Sequence, residues 1–370
     1  MSARIVLFGA TGYTGELTAH ALVRRGVTPV LAGRTRERLE KLDEELGGGC
    51  EVAVADVEQP QTVRALVERG DVLISTVGPF MRFGRPAVEA AIDAGAHYFD
   101  STGEPAFIRE VFEQHGPRAK QADCTLLTAF GADWVPGNLA GGLALDEAGE
   151  GAVRVAIGYY ATGDGMGSDA MSGGTRASVA GATLSPSFAW RDGTLVTERG
   201  AKRVRKFELW PGHEAPAISV AGSEHIALPR SYPAVRDVDL YLGWMGSMSR
   251  PLQIMSAPMA ALLAIPGVRG GLQSLSARFA KGSTGGPDEA ARARTGSVLL
   301  AQAFDAAGRQ LSDVRLEGTN PYTFTGAILA WGARAAAGGA LQGTGALGPV
   351  EAFGLTALTA GVAEAGLARV

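Results

Sequence analysis

Hydrophobic positions in the first 130 residues fall into short continuous runs, at 4–8, 28–32, 51–55, 71–77, 97–100 and 125–130, separated by amphipathic stretches. Continuous apolar runs of this length read as strands buried on both faces, and the stretches between them carry helical spacing. Glu16 opens one such stretch, Thr35 stands where it can cap the next at 36–46, Pro60 can take the first position of a helix reaching Arg69, and Pro105 that of a helix over 106–115. Strand and helix alternating at short spacing predict an α/β fold, a doubly wound parallel sheet with helices on both faces. Right-handed crossovers then bring all strand C-termini to one edge, where ligands belong.

From residue 152 onward the pattern changes. Alternating segments at 154–160, 187–190, 194–197, 204–210, 298–303 and 312–316 predict a second α+β domain on a mixed or antiparallel sheet. The expected organisation is a dinucleotide-binding domain over 1–135, a substrate and dimerisation domain over 136–330, and a helical segment over 331–370. A glycine-rich linker at 338–348 can let the last helix, opened by Pro349 and Glu351, return to the first domain. Residues 251–268 carry no charge until Arg269, yet Pro258 and Pro266 interrupt them. This stretch is expected to form a buried or interfacial helix pair, or to wall an apolar substrate pocket, without inserting stably in a membrane.

The first strand runs into Gly9-Ala10-Thr11-Gly12-Tyr13-Thr14-Gly15. Gly9 permits the turn off the strand, Gly12 lets backbone approach a pyrophosphate, and Gly15 allows close helix packing, while the helix N-terminus offers amides to the anion. After the second strand, Gly33, Arg34 and Thr35 stand where the adenosine ribose binds. An acidic residue there would select NAD; the guanidinium of Arg34 suits a 2′-phosphate, so NADP(H) is expected. Val77, Gly78, Pro79 and Phe80 end the fourth strand across the crevice. Ser101 belongs to a polar cluster after the fifth strand, in which Glu104 is read equally as a cap for the helix at Pro105 or as part of the site.

Asp133, after the sixth strand, is a candidate for orienting the nicotinamide amide or a substrate amine, or for capping a helix. Ser172-Gly173-Gly174-Thr175-Arg176 leads from a glycine-rich loop into a helix, so Thr175 can face substrate or simply cap. Asp133, Thr175 and Tyr159 are the candidate catalytic side chains.

Composition narrows the function. A net charge of −4 without an arginine-rich run argues against nucleic acid as a partner. Cys50 and Cys124 form no disulfide framework, and the five histidines show no zinc spacing, so no metal site is expected. Residues 1–4 carry no signal-peptide pattern, and a cytoplasmic location is expected. Short-chain carbonyl reductases need Tyr followed four positions later by Lys; here those positions are Leu17, Thr102, Gly163, Asp164, Arg236, Met245 and Gly326.

Together, the segments 9–15, Gly33-Arg34, Val77-Gly78-Pro79-Phe80, 98–104 and Ser172-Gly173-Gly174-Thr175 resemble the saccharopine dehydrogenase-like family of NADP-dependent oxidoreductases, including its bacterial trans-acting enoyl reductase members. The resemblance covers almost the whole chain and is strongest in the first 140 residues. It implies a Rossmann domain, an inserted α+β domain and hydride transfer from NADPH. Where saccharopine reductases carry a compact Asp-Pro-Gly, this chain has Trp134 and Val135 between Asp133 and Pro136. The expectation is therefore a reductase of a conjugated C=C or C=N bond in a small, fairly apolar metabolite, with a homodimer possible. A saccharopine-type imine dehydrogenase and a non-catalytic NADP-binding redox sensor or lipid-associated protein are the alternatives.

Overall fold

The computed structural model describes residues 3–163, 187–263, 265 and 285–370. Its first layer is a parallel sheet of β1 (Ile5–Phe8), β2 (Val30–Gly33), β3 (Val52–Val54), β4 (Val72–Ser75), β5 (His97–Asp100) and β6 (Thr125–Leu127). In space the order is β3-β2-β1-β4-β5-β6, with a seventh strand beyond β6. Ile5, Val6, Leu7 and Phe8 are all buried, as a central strand covered on both faces requires.

Helices α1 (Tyr13–Arg24), α2 (Arg36–Glu45), α3 (Pro60–Arg64), α4 (Phe80–Phe83), α5 (Arg85–Ala94), α6 (Pro105–Glu110) and α7 (Gly116–Gln121) connect the strands. Pro60 and Pro105 do open their helices. Two details differ from the sequence expectation. Thr35 is the N-cap residue of α2, but its side chain makes no capping hydrogen bond. The helix after Pro60 stops at Arg64 rather than Arg69, because Leu66 and Val67 turn inward and are buried where the chain descends to β4.

Helix α8 (Val135–Ala148) leads into the second sheet. Its nine strands are β7 (Arg154–Gly163), β8 (Ser187–Arg191), β9 (Thr194–Glu198), β10 (Val204–Trp210), β11 (His213–Ser219), β12 (Asp237–Leu242), β13 (Thr295–Phe304), β14 (Gln310–Gly318) and the late strand β16 (Leu367–Arg369). Pairing is mixed: β12 runs parallel to β7, and the other ladders are antiparallel. Helix α8 lies on β7, β13 and β14, and α9 (Glu224–Ser231) packs beside it.

The remaining elements are α10 (Ser249–Leu263), α11 (Glu289–Ala293), α12 (Pro321–Ala337), β15 (Gly345–Ala346) and α13 (Pro349–Glu364). After the second sheet the chain returns to the first. Helix α12 packs on α1, where a Cβ at Gly326 would lie 2.9 Å from the Leu17 backbone, and β15 extends the parallel sheet beside β6. An aromatic series of Phe99, Phe130, Phe353 and Trp331, with centroid spacings of 5.1, 5.8 and 4.8 Å, locks α12 and α13 against β5 and β6. Such offset and edge contacts add about 0.5–1.5 kcal/mol per pair beyond burial.

Of the alternatives expected at 251–268, a buried or interfacial helix pair or a pocket wall, burial is excluded for the described part, α10. Leu252, Ile254, Met255, Met259 and Leu262 are exposed. It is the polar side that faces the protein: Gln253 Nε2 donates to the Lys202 carbonyl at 3.1 Å, and Ser256 Oγ to that of Ala201 at 3.3 Å. No helix among the described residues is long and apolar enough to cross a membrane.

Candidate functional site

Where β1 ends, Gly9 adopts φ +87°, and a Cβ there would lie 2.7 Å from Thr76 Oγ1. A Cβ at Gly15 would overlap the Gly9 carbonyl, so the N-terminus of α1 can sit this close to the strand only with glycine. Gly12 is different: a Cβ there would meet nothing but Gly9 O, at 3.3 Å, so its glycine clears open space outside the loop. The loop is braced by Gly9 N and Ala10 N donating to Ala32 O, by Thr76 Oγ1 donating to Gly9 O at 3.1 Å, and by Arg38 donating to Thr11 O at 2.9 Å. Among the described residues the amides of Thr11, Tyr13, Thr14 and Gly15 have no backbone acceptor. Four donors at the positive end of a twelve-residue helix form a ready anion cradle.

Gly33 is buried at the tip of β2, and Arg34 and Thr35 are exposed beyond it. The Arg34 guanidinium makes no hydrogen bond or ion pair with the described residues, so its five donors are available. Tyr13 is tied elsewhere: its hydroxyl donates to Pro287 O at 2.5 Å, and Arg292 donates to that hydroxyl at 3.1 Å. The cradle is thereby fastened to the segment leading into β13. Val77, Gly78 and Pro79 are half-buried at the end of β4, whereas the Phe80 ring is buried 5.7 Å from Phe107. Glu104 accepts from Phe80 N at 2.7 Å and Met81 N at 3.0 Å, so it holds the first turn of α4 rather than of the helix that follows it.

Ser101 is half-buried after β5, and beside it Asp100 is fully buried. Asp100 accepts from Thr102 N, Ala129 N and Thr128 Oγ1, tying the ends of β5 and β6 together. Burial pushes its carboxyl up to about 6 against the pull of those bonds.

Asp133 stands on the loop from β6 to α8, held from below by Thr325, whose hydroxyl accepts from Ala132 N at 3.0 Å. Its Oδ2 points toward the backbone of Gly103, where a Cβ would lie 3.0 Å away. The carboxylate is partly exposed, has no hydrogen-bond partner among the described residues, and is pushed by burial to about 6. Immediately behind it, Trp134 takes φ 133°, and its ring meets Tyr159 edge-on at 5.6 Å. The Tyr159 hydroxyl accepts from Gly137 N at 2.8 Å and donates to Glu224 Oε1 at 2.6 Å. Glu224 is fully buried, its Oε2 has no partner among the described residues, and burial raises its carboxyl to about 8 even though the Tyr159 bond acts the other way.

The site therefore joins a partly exposed acid on the sheet edge to a buried Tyr159–Glu224 pair beneath it. Thr175 lies outside the described residues. Asp133 and Tyr159, far apart in sequence, are neighbours across the start of α8; Glu224, Arg38 and Thr76 were not singled out as site residues from the sequence. No cluster able to hold a metal occurs among the described residues.

The family model for the saccharopine dehydrogenase NADP-binding domain matches residues 5–127, the segment that builds this cradle and the edge around it. Curated relatives include a trans-acting enoyl reductase of Mycobacterium tuberculosis, 39% identical over 140 residues covering 36% of this chain and 34% of that protein. One of Mycobacterium leprae is 40% identical with the same coverage. The alignment thus spans about a third of the length of these relatives. Among solved structures, apo saccharopine dehydrogenase (L-Glu forming) of Saccharomyces cerevisiae matches with a TM-score of 0.60 at 13% identity, covering 100% of this chain and 99% of that one. At that identity the likeness shows the fold, and it extends beyond the NADP-binding domain to the second sheet.

Proposed function

We propose that this chain is an NADPH-dependent reductase that delivers hydride to a conjugated C=C or C=N bond of a small, fairly apolar metabolite. The observation that carries this reading is the placement of Asp133. An acid whose carboxyl is unpaired among the described residues, raised into the range where it can gain and lose a proton, stands on the same sheet edge as the glycine cradle of the NADP-binding domain.

The chain fits the dinucleotide. The free amides of Thr11, Tyr13, Thr14 and Gly15 would receive the pyrophosphate, Gly12 would let it approach, and Arg34 would pair with the 2′-phosphate. Gly33, Thr35, Val77, Gly78, Pro79 and Ser101 would shape the walls, with Phe80 fixing the strand exit from within the core. Bound NADPH supplies a hydride donor. Reduction of C=C or C=N also needs a proton at the neighbouring atom, and Asp133 is the described residue positioned to give it. Tyr159 and Glu224 act behind Asp133: they hold the start of α8 and keep a low-dielectric wall that sustains its raised pKa.

Absorbance at 340 nm, followed with enoyl thioesters, cyclic imines and amino-acid plus oxo-acid pairs as acceptors, tests the reaction class. Consumption of NADPH with an enoyl thioester or a cyclic imine supports the proposal. Consumption only with an amino-acid and oxo-acid pair would assign the saccharopine-type reaction instead.

A further inference from the structure

Helix α10 is assembled inside out. Its packed line is Ser249, Gln253, Ser256 and Ala260, with Gln253 and Ser256 hydrogen-bonded to the backbone at Ala201–Lys202 and Arg199 Nε donating to Ser256 Oγ at 3.0 Å. The outward face carries Leu252, Ile254, Met255, Pro258, Met259 and Leu262; Ile254 is 70% exposed and Met255 58%. A surface helix in a free-standing soluble domain shows the opposite pattern. Contiguous apolar exposure on this scale marks an interaction face.

The charges around the face decide what meets it. Arg250 at the start of the helix and Arg199 and Lys202 at its foot are exposed. Glu198 is turned inward and paired with Lys202 at 3.2 Å and with Arg203, so Arg250 and Arg199 are the cations of this fringe without an ion pair among the described residues. The sequence contains no Asp or Glu from 240 to 263, through the whole of α10, although the overall net charge is −4. A second copy seated on this face would set the basic fringe of one copy, Arg250 and Arg199, against the same basic fringe of the other. An anionic lipid surface instead offers apolar depth for the Ile254–Met255 side and negative charge for the basic fringe.

We infer that α10 docks the second domain on the surface of an anionic membrane, lying flat with Ile254, Met255, Met259 and Leu262 in the acyl boundary and Arg250 and Arg199 at headgroup level. This is peripheral attachment, and it stands independently of the reaction proposed above.

The test is flotation of the full chain with vesicles of equal parts phosphatidylcholine and phosphatidylglycerol, against phosphatidylcholine alone. Flotation is expected with the anionic vesicles and much less with the neutral ones. Ile254→Asp/Met255→Asp, both at exposed positions, is expected to lower binding more than tenfold, and Arg250→Gln about fivefold, the worth of one basic residue at such a surface. NADPH binding by each variant confirms that it is folded. The inference is overturned if the folded chain does not float with anionic vesicles, or if the double Asp variant floats as well as the parent. It is equally overturned if light scattering shows a dimer that the double Asp substitution dissolves, since a second copy would then own this face.

Discussion

Glu224→Gln is the perturbation that tests the buried part of the site most closely. The amide keeps the shape of the side chain and an oxygen for the Tyr159 hydroxyl, but removes the titration. Burial raises the Glu224 carboxyl from 4.5 to about 8. A group whose folded pKa lies above its unfolded value binds protons more tightly in the native state, so stability falls as pH rises between the two values. The slope there approaches about 1.4 kcal/mol per pH unit. Urea unfolding of parent and variant at pH 5.5 and 7.5 spans two units of that window. The parent is therefore expected to lose on the order of 3 kcal/mol more than Glu224→Gln over this interval, the two converging in pH dependence above pH 8. Comparing the two proteins cancels the titrating groups that do not interact with Glu224, and the Asp133→Asn background removes the one acid that does. Parallel stability curves would refute the reasoning, because Glu224 would then be ionised in the native state or reached by water.

Arg34→Asp is expected to weaken NADPH binding roughly 10- to 100-fold, the loss of a charge-assisted bond to the 2′-phosphate, and to leave NADH binding less affected; fluorescence titration with both nucleotides reads this. Gly15→Ala places a Cβ on the Gly9 carbonyl and should abolish NADPH binding and lower the Tm, measured by calorimetry with and without nucleotide. Asp133→Asn should reduce kcat about 10²- to 10⁴-fold with NADPH affinity retained. In the parent, activity should fall as pH rises through about 6, where Asp133 loses the proton it donates, and the variant should lack that limb.

The glycine cradle was legible in the sequence because every constraint on it is local. Gly9, Gly12 and Gly15 sit within seven residues, and the strand and helix that flank them are periodic in the chain itself. The parallel sheet wrapped by helices followed from the same alternation. What escaped depends on contacts across long separations. Tyr159 and Glu224 are joined over 65 residues by a bond that no spacing rule announces. Strands β11 and β12 carry continuous rather than alternating burial, set by their partners in the second sheet and not by a period-2 pattern of their own. For α10 the composition was read correctly as apolar and uncharged, but periodicity gives a helix two faces without saying which one meets the protein. The hydrogen bonds of Gln253 and Ser256 to the Ala201–Lys202 backbone decide that, and they turn the apolar side outward.

Single-turnover oxidation of bound 4-deuterated NADPH by enoyl thioesters and cyclic imines tests the central claim most directly. Decay of the 340 nm absorbance, with deuterium recovered on the acceptor carbon and the decay slowed by Asp133→Asn, is the predicted result. Tight NADPH binding with no decay against either class would contradict the account and leave a binding protein in place of a reductase.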